Sequence, residues 1–479
     1  MVTAFLLASL SPKLDAVLDV PELKGSVISA TLTDTDGKVL YERNADMRVM
    51  PASNQKLISC AYALHALGPD FVPKTRIWKL KDRVVVESNG DPSLTFQQLV
   101  DARRRLRLNG KQPVYVRQAY RVGIPESWEL DDLPNRYAAP ISAFCFDQAA
   151  FELWAEKGRA FLLPASFNVK LSFDASLPKG ASRYDPIRKT VRVGPSLPGK
   201  RTRLDTLALP SGDESAAMLL GSRFFSTKTV PTRPPDLTIS GRPLREILTT
   251  CLVKSDNIMA ENLLLMAAAK EGDLSSKPYP LARERVTKFL TETVLVDKED
   301  LRIYDGSGLS RHNLVSARAI SKLLIWASKQ PTASLWKGCL VSPLNGTLKN
   351  RLKDVPFQGK TGTLDMVVSL SGYVKTKSGE DVVMSLLLNH FTTPSAKARD
   401  IADYFAKTVH EGWDGTRDAL SCFHEVGPER SVPRDLFAIG HRPDRLDRDG
   451  GFARARSYRG AQSAHEAAHP DKRVAVHSG

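Results

Sequence analysis

Ser53 and Lys56, in the stretch Pro51-Ala-Ser-Asn-Gln-Lys-Leu-Ile-Ser-Cys-Ala61, have the residue types and spacing of a nucleophile with its own base. Three positions apart at the head of an apolar run with helical spacing, they lie one above the other on the first turn of a helix. A lysine ammonium cannot take a proton. A lysine partly desolvated against a helix N-terminus has a lowered pKa, and its neutral amine can deprotonate the neighbouring hydroxyl. The bland alternative is a helix start with a solvated lysine. Two further segments weigh against it. Lys254-Ser-Asp-Asn257 opens another apolar helix, and Gly359-Lys-Thr-Gly-Thr-Leu364 precedes a run, Met366 to Val374, that reads as a strand.

The elements that must bring these segments together are legible from periodicity and turn chemistry. Ser26–Thr33 and Val39–Glu42 alternate around the turn Asp34-Thr-Asp-Gly37 and predict a hairpin. The Ser53 helix is expected to run to about Gly68. From Lys74 to about Ser240 the pattern changes to short strands (76–80, 83–87, 114–120, 167–173, 190–193), many prolines and a basic helix near 95–108. Helical patterning returns at Arg242, with helices over 242–253, 256–270, 281–293 and 316–329. Among them lies the glycine-punctuated loop Tyr304-Asp-Gly-Ser-Gly-Leu-Ser-Arg-His-Asn313. Strands at 359–361, 367–374 and 382–389 and a helix from Ser395 to Trp413 follow. The expected fold is α/β (α+β), an antiparallel sheet with helices beside an all-helical part. Residues 1–73 and 241–415 would form one discontinuous domain, with 74–240 as one or two inserted, mainly β domains. A sheet on one side and helices on the other leave a crevice where separate segments converge.

Composition bounds the rest. The chain of 479 residues is long enough for two or three domains, and 42% hydrophobic with 25% charged residues is ordinary for a globular protein. Of the net charge of +15, the tail from Thr416 supplies only +2, with eleven Lys/Arg against nine Asp/Glu. The basicity is therefore spread over the body, which suits anionic polymers or carboxylate-bearing substrates as well as a merely solvated basic surface. The tail has no sustained apolar period and is expected to be disordered. Five scattered cysteines without CxxC or ligand spacing argue against a disulfide framework. Five of the nine histidines lie in the tail, and HExxH and GxSxG are absent, so neither a zinc site nor a histidine triad has support. Met1–Leu10 reads either as the apolar part of a secretory signal or as an ordinary chain start, and is too short to span a membrane.

The three motifs, in this order, resemble those of penicillin-binding proteins and class A β-lactamases. With the Tyr304-Asp-Gly-Ser-Gly-Leu-Ser310 loop and the Asn89-Gly-Asp-Pro-Ser-Leu94 turn, the chain from about Gly25 to Gly412 is similar to the low-molecular-mass class C penicillin-binding proteins, the D-alanyl-D-alanine carboxypeptidase/endopeptidases. Ser53 and Ser255 are 202 residues apart, too far for a class A β-lactamase, yet closer than is usual in the resembled family, so one small inserted domain is expected to be reduced or missing. The resemblance implies that Ser53 is acylated, that Lys56 takes its proton and that Ser255 relays a proton to the leaving amine. It implies that Asn257 holds the substrate's backbone amide, that Lys360, Thr361 and Thr363 face the terminal carboxylate, and that the N–H groups of Ser53 and Thr363 form an oxyanion hole. The Trp128-Glu-Leu-Asp131 segment implies a carboxylate, Asp131, that meets the third-residue ammonium of the stem peptide, with Asp132 equally placed and an acidic surface turn as the bland alternative.

The resemblance implies a serine peptidase without metal or cofactor, acting on peptidoglycan stem peptides and inhibited by β-lactams. It would be extracytoplasmic, with no nucleic-acid partner and no transmembrane segment. The alternatives are a sensor that is acylated with little turnover, and a β-lactamase or esterase on the same scaffold.

Overall fold

The Gly359–Thr363 motif lies on the edge strand of a five-stranded antiparallel sheet ordered Phe357–Leu364, Val367–Lys375, Asp381–Asn389, Val27–Asp34 and Val39–Arg43. The computed structural model describes residues 2–164 and 169–412, with backbone alone for 2–9. The tail from Thr416, Trp413 and Phe167 lie outside the described residues. Val2–Leu18 forms one helix, so the apolar start continues into Leu14, Val17 and Leu18, which are buried.

Successive side chains of the inner strands point to opposite faces, and here the two faces differ in chemistry. Ile28, Ala30, Leu32, Val368, Leu370, Leu386 and Leu388 make an aliphatic face. It is covered by the closing helix Ser395–Glu411, against which Val2–Leu18 lies. Tyr41, opposite Leu32, places its ring 6.0 Å from that of Phe405 on the closing helix. The other face carries Ser29, Thr31, Thr33, Ser369, Ser371 and Ser385, all equally buried. A buried hydroxyl must find a partner. These find the Ala317–Ser328 helix and the chain entering Ser53: Ala317 N donates to Ser29 Oγ at 3.1 Å, Asn54 Nδ2 to Ser371 Oγ at 2.7 Å, and Ser369 Oγ to the Pro51 carbonyl at 2.8 Å. Asn389 completes the anchorage by accepting from Met50 N and donating to Met50 O, both at 3.0 Å.

Helix Gln55–Leu67 leaves this anchor and packs among Leu244–Lys254, Asn257–Lys270 and Ala317–Ser328. Asn257–Lys270 is buried from Asn257 to Ala268, which its mostly apolar sequence allows, with Glu261 and Asn262 buried among the apolar residues. The expected helix over 281–293 is split into an α-helix, Pro278–Lys288, and a π-turn, Phe289–Thr293.

Between residues 74 and 240 the described chain builds a second five-stranded sheet, Phe224–Ser226, Val114–Gln118, Val84–Ser88, Lys74–Lys79 and Leu237–Ser240, two three-stranded ones and a two-stranded one, Arg121–Gly123 with Ile141–Ser142. Val84–Ser88 pairs in parallel with Val114–Gln118, through a crossover that contains the helix Phe96–Arg105. That helix opens on a capping box between Thr95 and Gln98. A second helix in this region, Gly212–Leu220, is not marked by the sequence pattern. Val84, Val116, Phe144 and Phe146 belong to the same continuous apolar core as Leu57 and Leu263.

The chemistry of the two sheet faces generates a stability prediction. Leu386→Ala on the aliphatic face should cost about 2–5 kcal/mol, through lost transfer and a residual cavity. Ser385→Ala, which removes one side of a 2.9 Å hydroxyl pair with Ser371, should cost about 1 kcal/mol. Urea unfolding at unchanged slope measures both; the reverse ranking would contradict the assignment of faces.

Candidate active site

Ser53 is not on the α-helix proper. It occupies a 3₁₀ turn, Ala52–Asn54, that runs into Gln55–Leu67. Ala52, just before it, has φ +46°, a conformation disfavoured for any residue with a Cβ. The turn is wedged between two close backbones. A Cβ on Gly308 would lie 1.8 Å from the Ala52 carbonyl oxygen, and one on Gly362 would lie 2.8 Å from Ser53 N and 2.2 Å from Ser369 Oγ. Only glycine fits at either place.

Lys56 is fully buried, and its ammonium has three acceptors: Ser53 Oγ at 2.8 Å, Asn257 Oδ1 at 2.7 Å and the Ser307 carbonyl at 2.7 Å. They come from three separate segments. Burial pushes the Lys56 pKa below its ordinary value, against the opposing pull of Cys251, Asp305, Glu261 and Asp256. The Ser307 carbonyl is aimed by two buried carboxylates beneath its loop. Glu261 accepts from Gly306 N, Ser307 N and Tyr279 Oη, each at 2.8 Å. Asp305 accepts from Gly308 N and Ser310 N at 2.7 Å, Asn313 Nδ2 at 2.8 Å and Trp128 Nε1 at 3.1 Å. Burial first, and Asp305 second, push the Glu261 carboxyl up to about 7.

Ser255 caps Leu244–Lys254 in the left-handed conformation, φ +58°, and receives Lys360 Nζ on its hydroxyl at 2.9 Å. The reversal lets Asp256 cap the next helix, accepting from Met259 N at 2.9 Å, and puts Asn257 at its first position. Asn257 holds Lys56 through Oδ1 and donates through Nδ2 to the Tyr137 carbonyl at 3.0 Å. Lys360 is also fully buried and donates to the Thr361 carbonyl at 2.8 Å. No carboxylate pairs with it among the described residues. Burial, then the charge of Lys56, hold its pKa well below the ordinary value. Thr361 Oγ1 donates to Thr347 Oγ1 at 2.8 Å. Gly359 exchanges hydrogen bonds with Val341 on the side away from the sheet, so by the two-residue period the N–H groups of Thr361 and Thr363 face that same open edge.

The expected residues thus form two adjoining hydrogen-bonded groups, Lys56 with Ser53 and Asn257, and Lys360 with Ser255, linked through the chain Ser255–Asn257, with Thr361 and Thr363 on the strand of Lys360. Asp131 stands apart. It is exposed on a one-turn helix, Leu130–Asp132, and its carboxylate has no hydrogen bond or ion pair among the described residues. Its neighbour Asp132 accepts from Tyr137 Oη at 2.8 Å. Trp128 points inward to Asp305. Glu261, Asp305, Ser307 and Asn389 were not singled out from the sequence. Asp305 and Ser307 lie in the 304–313 loop, which its glycines and the family resemblance both mark, whereas Glu261 and Asn389 carry no mark.

The family described as "D-Ala-D-Ala carboxypeptidase 3 (S13) family" matches residues 10–169 and 231–409. Among characterised relatives, the chain is 27% identical over 481 residues to a D-alanyl-D-alanine carboxypeptidase of an Actinomadura species, covering 85% of this chain and 87% of that one. It is 23% identical to D-alanyl-D-alanine carboxypeptidase DacB of Haemophilus influenzae, covering 76% and 85%. The fold is that of the crystal structure of penicillin binding protein 4 (dacB) from Haemophilus influenzae, with a TM-score of 0.66 at 20% identity over 82% of this chain and 98% of the other.

Glu261 carries a pH signature. Its folded pKa, about 7, lies above the ordinary 4.5, so its contribution to stability is fully present below 4.5 and is lost as pH rises through 7. Glu261→Gln removes that dependence. The melting temperature of the variant relative to the unaltered protein should therefore rise between pH 4.5 and 7; a constant difference across the window would contradict it.

Proposed function

The chain belongs to the D-Ala-D-Ala carboxypeptidase 3 (S13) family, and from that premise we propose that its serine-type carboxypeptidase activity runs through an acyl-enzyme on Ser53. The observation that carries this reading is the buried Lys56 amine, 2.8 Å from Ser53 Oγ. Neutral Lys56 accepts the hydroxyl proton as Ser53 Oγ attacks the carbonyl between the last two D-alanines of a peptidoglycan stem peptide. The developing oxyanion is held by the N–H groups of Ser53 and Thr363, each worth about 3 kcal/mol in such a role. The C–N bond then breaks. The proton passes from Lys56, with Ser255 as relay, to the departing D-alanine amine. Water attacks the acyl-Ser53 ester, Lys56 takes its proton and returns it to Ser53 Oγ as the ester C–O bond breaks, and the shortened peptide leaves.

Recognition follows from the remaining groups. Lys360 is a buried amine whose partners among the described residues are a hydroxyl and a carbonyl and no carboxylate, which supports binding of the substrate's terminal carboxylate together with Thr361 and Thr363. Asn257 Nδ2 spends one N–H on Tyr137 and has a second for the substrate's backbone amide. The same acyl-transfer chemistry accounts for covalent inhibition by β-lactams, and the family's reaction favours turnover over a sensor or a β-lactamase. Endopeptidase cleavage of cross-links belongs to this reading as a second outcome of the same acylation. Its substrate puts the protein outside the cytoplasm. Among the described residues no helix is long and apolar enough to cross a membrane. We further assign 1–73 and 241–415 to the catalytic domain and 74–240 to the insertion.

Ser53→Ala should abolish both peptide cleavage and labelling by fluorescent penicillin, because it removes the hydroxyl that lies 2.8 Å from Lys56, the proposed base. Labelling that survives on another serine would overturn the assignment. The exposed carboxylate of Asp131 is proposed to favour stem peptides with a free amine on the third residue. In a cycle of Asp131→Asn against peptide acetylation, loss of kcat/KM should appear on amine-bearing peptides only. A coupling near zero would return Asp131 to a surface turn and pass the role to Asp132.

A further inference from the structure

Residues 128–137 touch three pieces of the cluster from outside the segments that carry its motifs. Trp128 Nε1 donates to Asp305 at 3.1 Å, the Tyr137 carbonyl accepts from Asn257 Nδ2 at 3.0 Å, and the Arg136 guanidinium is hydrogen-bonded to Asp256 and to Gln148. The third contact is the informative one. Asp256 sits between Ser255 and Asn257, its side chain only 4% exposed, and Arg136 is its one ion-pair partner among the described residues. A carboxylate so buried needs both hydrogen bonds and a compensating charge. The N-cap bond from Met259 N supplies the first. Arg136 supplies the second.

We propose that Arg136 is a positioning residue for acylation. It neutralises and orients Asp256, thereby fixing the Ser255–Asn257 corner and shielding Lys56 from the field of a buried anion. The proposal rests on the reading of Lys56 as the base for Ser53. Lys56 is faced by Asp256 and Glu261 from the helix Asn257–Lys270, Asp305 from the loop, Cys251 from the preceding helix and Lys360 from the edge strand. Asp256 is the member of this set that Arg136 offsets. Without the guanidinium, its negative charge acts on Lys56 undiminished and favours the protonated amine. The base is then available only at higher pH.

The test is the pH profile of the acylation rate, read from fluorescent-penicillin labelling of the full chain. Arg136→Gln should slow acylation roughly tenfold at neutral pH, less than loss of a wholly buried partner because the arginine is 40% exposed. It should also move the rising limb up by about half a unit or more. Asp256→Asn keeps the N-cap, since asparagine caps as well as aspartate, but removes the charge. Combined with Arg136→Gln it should return the limb to its original position or below. An unshifted profile in the single variant, whatever its rate, would overturn the proposal, and so would a shift that persists in the double variant. Thermal melting of each variant separates slow labelling from unfolding. If the unaltered protein is not labelled at Ser53 in the same series, it is the underlying reading that fails, and not the role of Arg136.

Discussion

Everything in this site depends on keeping one ammonium out of water. Lys56 is fully buried, and an isolated charge so placed would be prohibitively unfavourable. Three acceptors make it tolerable: the hydroxyl of Ser53, the amide oxygen of Asn257 and the carbonyl of Ser307. Because those acceptors come from parts of the chain some 200 and 250 residues away as well as from the adjacent turn, this environment of the proposed base is complete only when the helices and the loop have packed. Burial lowers its pKa and the surrounding carboxylates raise it, and burial dominates. The helix Asn257–Lys270 and the 304–313 loop therefore act as parts of one electrostatic device. Glu261 and Asp305 tie the loop amides down and set the field at the same time.

The backbone is forced to fit this device. Ala52 and Ser255, both non-glycine, take left-handed conformations, each at a cost of order 1–3 kcal/mol. Such conformations persist only where neighbours over-determine them. Around Ala52 the neighbours are the Asn389 amide on Met50, Ser369 on the Pro51 carbonyl and Ser371 on Asn54. This explains why one face of the sheet is lined with buried hydroxyls where aliphatic side chains would pack more simply. Around Ser255 they are the Asp256 cap and the Lys360 ammonium.

How much of this the sequence could disclose follows from the range of each signal. The hairpin at Asp34, the strands after Gly359 and the helix starts at Ser53, Asp256 and Ser316 are local, written in turn residues, alternation and caps, and they lie within a residue or two of expectation. The three motifs exposed Ser53, Lys56, Ser255, Asn257 and Lys360 because their residue types are unusual at those spacings. Glu261 and Asn389 carried no such mark. A glutamate inside an apolar helix and an asparagine ending a strand acquire meaning only through partners 45 and 339 residues away. The parallel pairing of Val84–Ser88 with Val114–Gln118 is invisible for the same reason. The Trp128–Asp131 segment is instructive in another way: the resemblance directs attention to Asp131, which is exposed, whereas the Trp128 indole points inward to the carboxylate that holds the 304–313 loop.

The two buried lysines constrain one another, and that constraint gives the substrate a part in the chemistry. The charge of Lys56 lowers the pKa of Lys360, and like charges so close resist being carried together. Lys360 has a hydroxyl and a carbonyl for partners, whereas Lys56 also lies within the field of Glu261, Asp305 and Asp256. That field favours the protonated form of Lys56, against the effect of burial. A substrate carboxylate beside Lys360 adds the missing negative charge there and favours a protonated Lys360. The resulting cation, through the same repulsion, favours a neutral Lys56. On the proposed reading, a peptide with a free C-terminus thus helps to generate the base that attacks through Ser53, and an amidated peptide forgoes this. Selectivity for the carboxylate would then appear in the acylation rate as well as in binding, because the group that is recognised also sets the protonation of the group that reacts.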